Sequence, residues 1–470
     1  MKRLRNISTL ALFFAIHVCI TASEKPNFII ILADDLGYGD LGYTGSTQIK
    51  TPHIDKLSES GVVFTNGYVT GAVCSPSRAG LLTGRHNCEF GYYTNPDLPP
   101  NQQLQIDREF SGLPVDEVTL ADRLGDLGYI NGLIGKWHLG RLPQFHPLKR
   151  GFHEFWGYVN GGHDYYITVP RSETRIRYRW PIECNYKQQG GLTYLTDDKG
   201  NECVDFIKRH KEEPFFLFAS FNAPHIPLQA PEADEALYSF VQDERRRTYC
   251  AMVHRLDVNV GRIVEELKNQ NLYENTMIVF LSDNGGYLNN NVSINAPFRG
   301  QKGTLFEGGV HVPFIISYPE EYKAGMVYKK PVSALDILPT FVAFAGGEIG
   351  EEENIHGVDL TPYIKGNNKH RPHEYLMWNI QGFSAIRQGD MKLVNMPDKF
   401  PMLFDLSEDI SEQNDIADRE REMASMILEK LGYWNMSCPE PLFFPGNKQK
   451  MGYRRLYDEV SPPQPKPFKQ

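Results

Sequence analysis

Four times along this chain a continuously apolar run stops abruptly at residues able to do chemistry. Phe28-Ile29-Ile30-Ile31-Leu32 leads into Asp34-Asp35, and Tyr129 to Ile134 leads into Lys136 and His138. Phe215 to Phe218 leads through a short loop to His225, and Met277-Ile278-Val279-Phe280-Leu281 leads into Asp283-Asn284. A strand that is apolar at every position is buried on both faces, the situation of a parallel sheet covered by helices. Helical stripes lie between the runs: Leu120, Leu124 and Leu127 form one, and Leu256, Val260, Ile263, Val264 and Leu267 another. Alternating strands and helices predict an α/β fold, with a largely parallel sheet and helices on both faces. In such sheets the site lies beyond the carboxyl ends of the strands, where all four polar clusters fall.

After about residue 365 the pattern changes. Tyr375 to Trp378, Ser384 to Arg387, Met391 to Val394 and Leu403 to Leu406 read as short antiparallel strands, and Met423 to Leu431 as a helix. The chain of 470 residues is thus expected to divide into a leader (1–23), a catalytic domain (24–365) and a smaller C-terminal α+β domain (366–470) with an antiparallel sheet. The proline-rich tail from Ser461 should be irregular.

The leader has Lys2, Arg3 and Arg5 ahead of an apolar run, Leu10 to Ile20, too short to span a bilayer, with small residues Thr21 and Ser23 at a cleavage position. It predicts export, to the periplasm of a Gram-negative host or to the outside, with no stable membrane insertion of the mature chain. Of seven cysteines, Cys19 leaves with the leader. Cys88, Cys184, Cys203, Cys250 and Cys438 allow one or two disulfides without fixing any. Sequons at Asn291 and Asn435 matter only in a glycosylating host. The net charge of -9 argues against nucleic acid as a partner, so an anionic substrate needs a local cluster of cations.

Cys74-Ser75-Pro76-Ser77-Arg78-Ala79-Gly80-Leu81-Leu82-Thr83-Gly84-Arg85 is the most informative stretch. Cys74 should open a short helix, where backbone N–H groups and the macrodipole favour an anion, with Arg78 adding a fixed cation. The string resembles the type I sulfatase signature, C-x-P-S-R followed by L-T-G-R. Other segments resemble that family in order: Pro26 to Asp35, Gly135-Lys136-Trp137-His138-Leu139-Gly140, Asn222-Ala223-Pro224-His225-Ile226-Pro227, Ser282-Asp283-Asn284-Gly285-Gly286, Arg299-Gly300-Gln301-Lys302-Gly303, and Leu403 to Ala417. His311 departs from the pattern, standing where many members carry Arg.

The resemblance implies an alkaline-phosphatase-like fold and a sulfate-ester hydrolase. Its Cys74 would be oxidised by a formylglycine-generating maturation enzyme to formylglycine (3-oxoalanine), whose hydrate attacks sulfur and then expels sulfate. It also implies one Ca²⁺ held by Asp34, Asp35, Asp283, Asn284 and the modified Cys74, hard oxygen donors of the kind calcium prefers. Arg78, Lys136 and Lys302 would steady the sulfate oxygens, with His138 a base candidate and His225 an acid candidate. His163, Asp164 and Arg299 are expected to reach the organic part of the substrate. With no long amphipathic or membrane-inserting segment to reach an ester held in a bilayer, a sulfated carbohydrate, polysaccharide or oligosaccharide, is the expected substrate. A phosphatase or phosphodiesterase of the same superfamily would use two zinc ions and show Asp-His where Asp283-Asn284 stands. An unoxidised Cys74 would leave a protein that binds sulfated glycans without cleaving them. A site ringed by four strand ends and a second domain should be a pocket, walled partly by the irregular segment from about Phe145 to Thr196 and suited to a chain end.

Overall fold

The Phe28 run forms β1 (Asn27–Ala33), buried at every residue, in a computed structural model that describes residues 25–96, 111–170, 178–397, 399–443 and 447–458. The leader and the tail from Ser461 lie outside the described residues. Then follow β2 (Val62–Phe64), β3 (Gly67–Tyr68), β4 (Ile130–Lys136), β5 (Glu154–Tyr158), β6 (Ile182–Cys184), β7 (Lys187–Gln189), β8 (Phe215–Ser220), β9 (Thr276–Ser282), β10 (Phe314–Ser317), β11 (Met326–Tyr328) and β12 (Val332–Ser333). Ten of these make one sheet, in the order β11-β2-β10-β9-β1-β8-β4-β5-β6-β7. Its middle, β9-β1-β8-β4-β5, is parallel throughout, and antiparallel neighbours β10 and β6 flank it.

The two-residue period of β1 divides its side chains between two cores. Phe28, Ile30 and Leu32 join one apolar cluster, and Ile29, Ile31 and Ala33 the other. The first is closed by the helices Cys74–Thr83, Leu120–Asp126 and Ile337–Phe344. The second is closed by Pro52–Glu59, Leu195–Arg209 and Glu244–Asn269. Each fully buried Ile or Phe contributes roughly 1.5–3 kcal/mol, which is why strands covered on both sides carry no alternation. The fold is the expected mixed, largely parallel α/β sheet.

A second sheet, β13 (Tyr375–Ile380), β14 (Phe383–Gln388), β15 (Met391–Asn395) and β16 (Met402–Asp405), is antiparallel throughout. Along β13 the burial alternates, and Leu376, Trp378 and Ile380 enter the first core. Trp378 also donates from Nε1 to the carbonyl of Val69 at 2.7 Å. The opposite face, through Ile386, Leu393 and Leu403, receives Ile427, Leu431 and Trp434 of the helix Arg421–Ser437. A further helix, Asn447–Asp458, has no counterpart in the sequence expectations because it opens on four polar residues. It docks through Tyr457, whose hydroxyl accepts from Leu305 N at 2.8 Å. Among the described residues no helix is long and apolar enough to cross a membrane.

Candidate active site

Because β9, β1, β8 and β4 are adjacent and parallel, their carboxyl ends stand side by side. Asp34 and Asp35 follow β1, Asp283 and Asn284 follow β9, Lys136 closes β4, and His225 lies in the loop beyond β8. Asp35 (φ 62°) and His138 (φ 63°) both occupy the left-handed region. For residues other than glycine that conformation costs on the order of 1 kcal/mol or more and persists only where the surroundings hold it.

Cys74 is the first residue of its helix, after extended Val73, and all ten helix residues are buried. The helix ends at Gly84, whose φ of 66° and bond from its N to the carbonyl of Gly80 explain the glycine of Leu-Thr-Gly. The Cys74 Sγ lies 3.0 Å from Lys302 Nζ, 3.4 Å from Asp34 Oδ1 and 3.9 Å from Asp35 Oδ1. Burial, and then the Asp283 charge, push the Cys74 thiol well above the usual thiol range.

Each acidic side chain has its own cation. Lys136 Nζ meets Asp34 Oδ2 at 2.7 Å, Lys302 Nζ meets Asp35 Oδ1 at 2.6 Å, and Arg78 Nε meets Asp283 Oδ2 at 2.9 Å. Burial alone would raise Asp34, but Lys136 above all, with His225, Arg78 and Lys302, outweighs it and holds the carboxyl well below the carboxylate range. Asp283 goes the other way, raised to about 6 by burial and then by the Asp34 charge. His225 contacts the cluster through Nε2, 3.7 Å from Asp35 Oδ2, while its Nδ1 pairs with the Ile226 carbonyl at 2.6 Å. Burial lowers its pKa, and Asp34 and Asp35 oppose that.

One ligand atom from each of Asp34, Asp35, Cys74 and Asp283 falls within a 4.8 Å set, so these four side chains could hold a metal ion. Asn284 completes the set chemically. Its Nδ2 donates to Asp35 Oδ1 at 2.8 Å and to the Gly285 carbonyl at 2.9 Å, while its buried Oδ1 has no hydrogen-bond partner among the described residues. A buried amide oxygen left without a donor beside three carboxylates fits a cation as its partner.

A family profile described as Sulfatase matches residues 26–347. The chain belongs to the sulfatase family. It is a sulfuric ester hydrolase, and a second profile, N-sulphoglucosamine sulphohydrolase, C-terminal, matches residues 300–432. It is similar to human N-acetylgalactosamine-6-sulfatase, with 34% identity over 362 residues, covering 75% of this chain and 68% of that protein. Among solved structures it is similar to Ps i-CgsB in complex with k-i-k-neocarrahexaose, with 35% identity and a TM-score of 0.83 over 93% of this chain and 98% of that one. A structure concerned with glycosaminoglycan metabolism by Bacteroides thetaiotaomicron is 27% identical, with a TM-score of 0.73 over 88% of this chain and all (100%) of that one.

Three residues expected to reach substrate in this sulfatase are committed elsewhere. His163 is fully buried, with Nδ1 2.5 Å from the Asp164 carbonyl and Nε2 2.9 Å from the Trp180 carbonyl, so neither ring nitrogen faces the cluster. Asp164 closes a local turn, its Oδ1 accepting from Tyr166 N and Ile167 N at 3.0 Å each. Arg299 donates to the Glu412 carbonyl at 2.7 Å and stacks 4.3 Å above Phe306, tying the site loop to the C-terminal region. His311 likewise lies apart from Cys74, bonding Glu307 Oε2 at 2.8 Å and the Thr65 carbonyl at 3.0 Å.

The structure adds residues that the motifs did not single out. Ser220, at the end of β8, accepts from Arg78 Nη1 at 2.6 Å and donates to the Lys136 carbonyl at 2.6 Å. Asn291 Nδ2 holds the Asp35 carbonyl at 3.0 Å. Following each strand to its last residue would have found Ser220. Lys199, in the middle of the helix Leu195–Arg209 yet fully buried, has no comparable signal, since a lysine in an amphipathic helix reads as solvent-facing.

Proposed function

We propose that this sulfatase removes sulfate from the end of a sulfated carbohydrate, using formylglycine made from Cys74 and one Ca²⁺ held by Asp34, Asp35, Asp283 and Asn284. The observation that carries the reading is the convergence of Cys74 Sγ, Lys302 Nζ and the Asp34 and Asp35 carboxylates within 3.9 Å of the sulfur, at the start of a buried helix. A thiol pushed up by burial is a poor nucleophile as it stands, which supports its working after oxidation rather than before. The all-oxygen character of the remaining donors favours calcium over zinc, and Asn284 offers no imidazole to a second metal.

Formylglycine supplies a hydrated aldehyde as nucleophile, and calcium supplies the positive charge that polarises a sulfate oxygen. The chain's own residues do the rest. Lys302, 2.6 Å from Asp35 and 3.0 Å from the reacting side chain, neutralises charge as it develops there. Arg78 and Lys136, both fully buried, keep fixed positions through Asp283 and Asp34 and offer their remaining N–H groups to sulfate oxygens. His225 donates a proton from Nε2 to the leaving oxygen, its Nδ1–H being held by the Ile226 carbonyl. His138 takes up the proton released when sulfate is expelled.

The sugar assignment rests on relatives named for N-acetylgalactosamine 6-sulfate and on a structure that holds neocarrahexaose. Residues 1–23 serve as an export leader, and a formylglycine-generating enzyme is the required maturation partner. Mass spectrometry of the Cys74 peptide, calcium and zinc analysis of the active protein, and sulfate release from a panel of sulfated oligosaccharides test the three parts separately. An unmodified Cys74 in fully active enzyme, or zinc in place of calcium, would overturn the reading.

A further inference from the structure

Lys199 is a fully buried lysine with no carboxylate within salt-bridge reach among the described residues. Its ammonium donates to Asn222 Oδ1 at 2.6 Å, lies 3.4 Å from the Ser220 carbonyl, and stands 5.0 Å from the centre of the Tyr158 ring. Space for it is made by Gly135, at φ 119°, where a Cβ would stand 3.1 Å from Lys199 Cε and 1.9 Å from Ser220 O. Enclosing an ammonium without a counter-ion opposes folding. A lysine buried on the same helix face as Leu195, Cys203, Phe206 and Ile207 departs from the usual rule for such positions, and departures of this kind concentrate at functional sites.

Asn222, which Lys199 grips, anchors the loop that carries His225. Its carbonyl accepts from His225 N at 2.8 Å and from the Tyr165 hydroxyl at 2.9 Å. The same hydroxyl lies 2.8 Å from the His225 carbonyl. The backbone of His225 is therefore fixed at both its N–H and its C=O, and the fixing group on one side is itself fixed by Lys199. We propose that Lys199 is a positioning residue for His225: it locks Asn222 so that the His225 imidazole stays aimed at the leaving oxygen. This rests on the reading of His225 as the acid that protonates that oxygen while the S–O ester bond breaks.

The test uses full-length matured enzyme and two aryl sulfates that differ in need for an acid. The anion of 4-nitrophenol leaves readily without protonation, whereas phenol, with a pKa of about 10 like that of tyrosine, does not. Lys199→Met should lower kcat on phenyl sulfate about 10- to 100-fold and kcat on 4-nitrophenyl sulfate less than about threefold, with metal content unchanged. Equal losses on both substrates would show a merely structural lysine and overturn the proposal. His225→Ala, measured alongside, separates the two layers. If it too lowers both substrates equally, the acid reading of His225 fails and the proposal falls with it. If His225→Ala discriminates and Lys199→Met does not, only the role of Lys199 is rejected. Should Lys199→Met not fold, Asn222→Ala removes the same link from its other end and is judged by the same ratio.

Discussion

Asn284 donates its amide N–H to Asp35 Oδ1 at 2.8 Å across the join between β9 and β1, and leaves its own Oδ1 buried without a partner among the described residues. The contact fixes the Asn284 amide beside Asp35, one of the four residues that could hold a metal ion. Asn284→Leu keeps the branched shape, with somewhat more bulk, but removes both the orienting donor and the spare oxygen. Calcium content after dialysis should fall, and turnover should drop by about 10- to 100-fold, with partial recovery in excess calcium. Full activity with unchanged calcium would remove Asn284 from the metal set.

In the proposed mechanism the covalent chemistry depends on Cys74. Cys74→Ala should give a folded protein with sulfate release reduced on the order of 10³-fold or more, because fixed cations cannot replace the nucleophile. Its melting temperature should stay close to that of the parent, since Ala keeps the helix start. Activity retained within about tenfold would reject the assignment.

The site was legible in the sequence to the extent that its residues terminate buried strands or open a buried helix. Asp34, Lys136 and Asp283 each sit at such an end, and the sheet order β9-β1-β8-β4 brings them together. For His163 and Arg299 the sequence is less informative, because a polar residue in a glycine-rich loop looks the same whether it faces substrate or satisfies the backbone. In the structure their side chains bond the carbonyls of Asp164, Trp180 and Glu412. Lys199 was missed for the opposite reason, its burial depending on the cleft over Gly135, a feature of tertiary packing.

A buried ionic cluster between the main sheet and the C-terminal sheet gives a pH prediction. Lys392 Nζ lies 2.8 Å from Glu307 Oε1 and 3.0 Å from Glu412 Oε1, and all three side chains are fully enclosed. Burial first, then the Glu307 charge, against the pull of Lys392, raise Glu412 from 4.5 to about 7. A carboxyl raised on folding favours the folded state while protonated. That contribution is complete below pH 4.5 and is lost as pH rises through about 7. Glu412→Gln cannot ionise, so its stability relative to the parent should rise between pH 5 and pH 8, by on the order of 1–3 kcal/mol. Thermal unfolding at the two pH values checks this, and a parent that gains on the variant toward pH 8 would contradict it.

The last prediction concerns where on a sugar chain the enzyme acts. Cys74 is 1% exposed, and Arg78 and Lys136 are fully buried, so sulfur must be brought into a recess. One wall is built by Tyr178, whose ring stands edge-on to His225 with centroids 6.1 Å apart. The two are packed so closely around Gly162 that a Cβ there would lie 2.8 Å from Tyr178 Cε1 and 3.0 Å from His225 Cε1. On the proposed reading, Tyr178 beside His225 leaves less room for a sugar chain that continues past the sulfated residue than for one that ends there. Sulfate release from oligosaccharides should exceed release from the intact polymer at equal sulfate concentration, with loss confined to chain ends. Tyr178→Ala should narrow that difference by raising the rate on polymer, and the bulkier Gly162→Val should depress both rates by crowding His225. Equal initial rates on polymer and oligosaccharide in the parent enzyme, with sulfate lost evenly along the chain, would establish an open cleft and refute the recess.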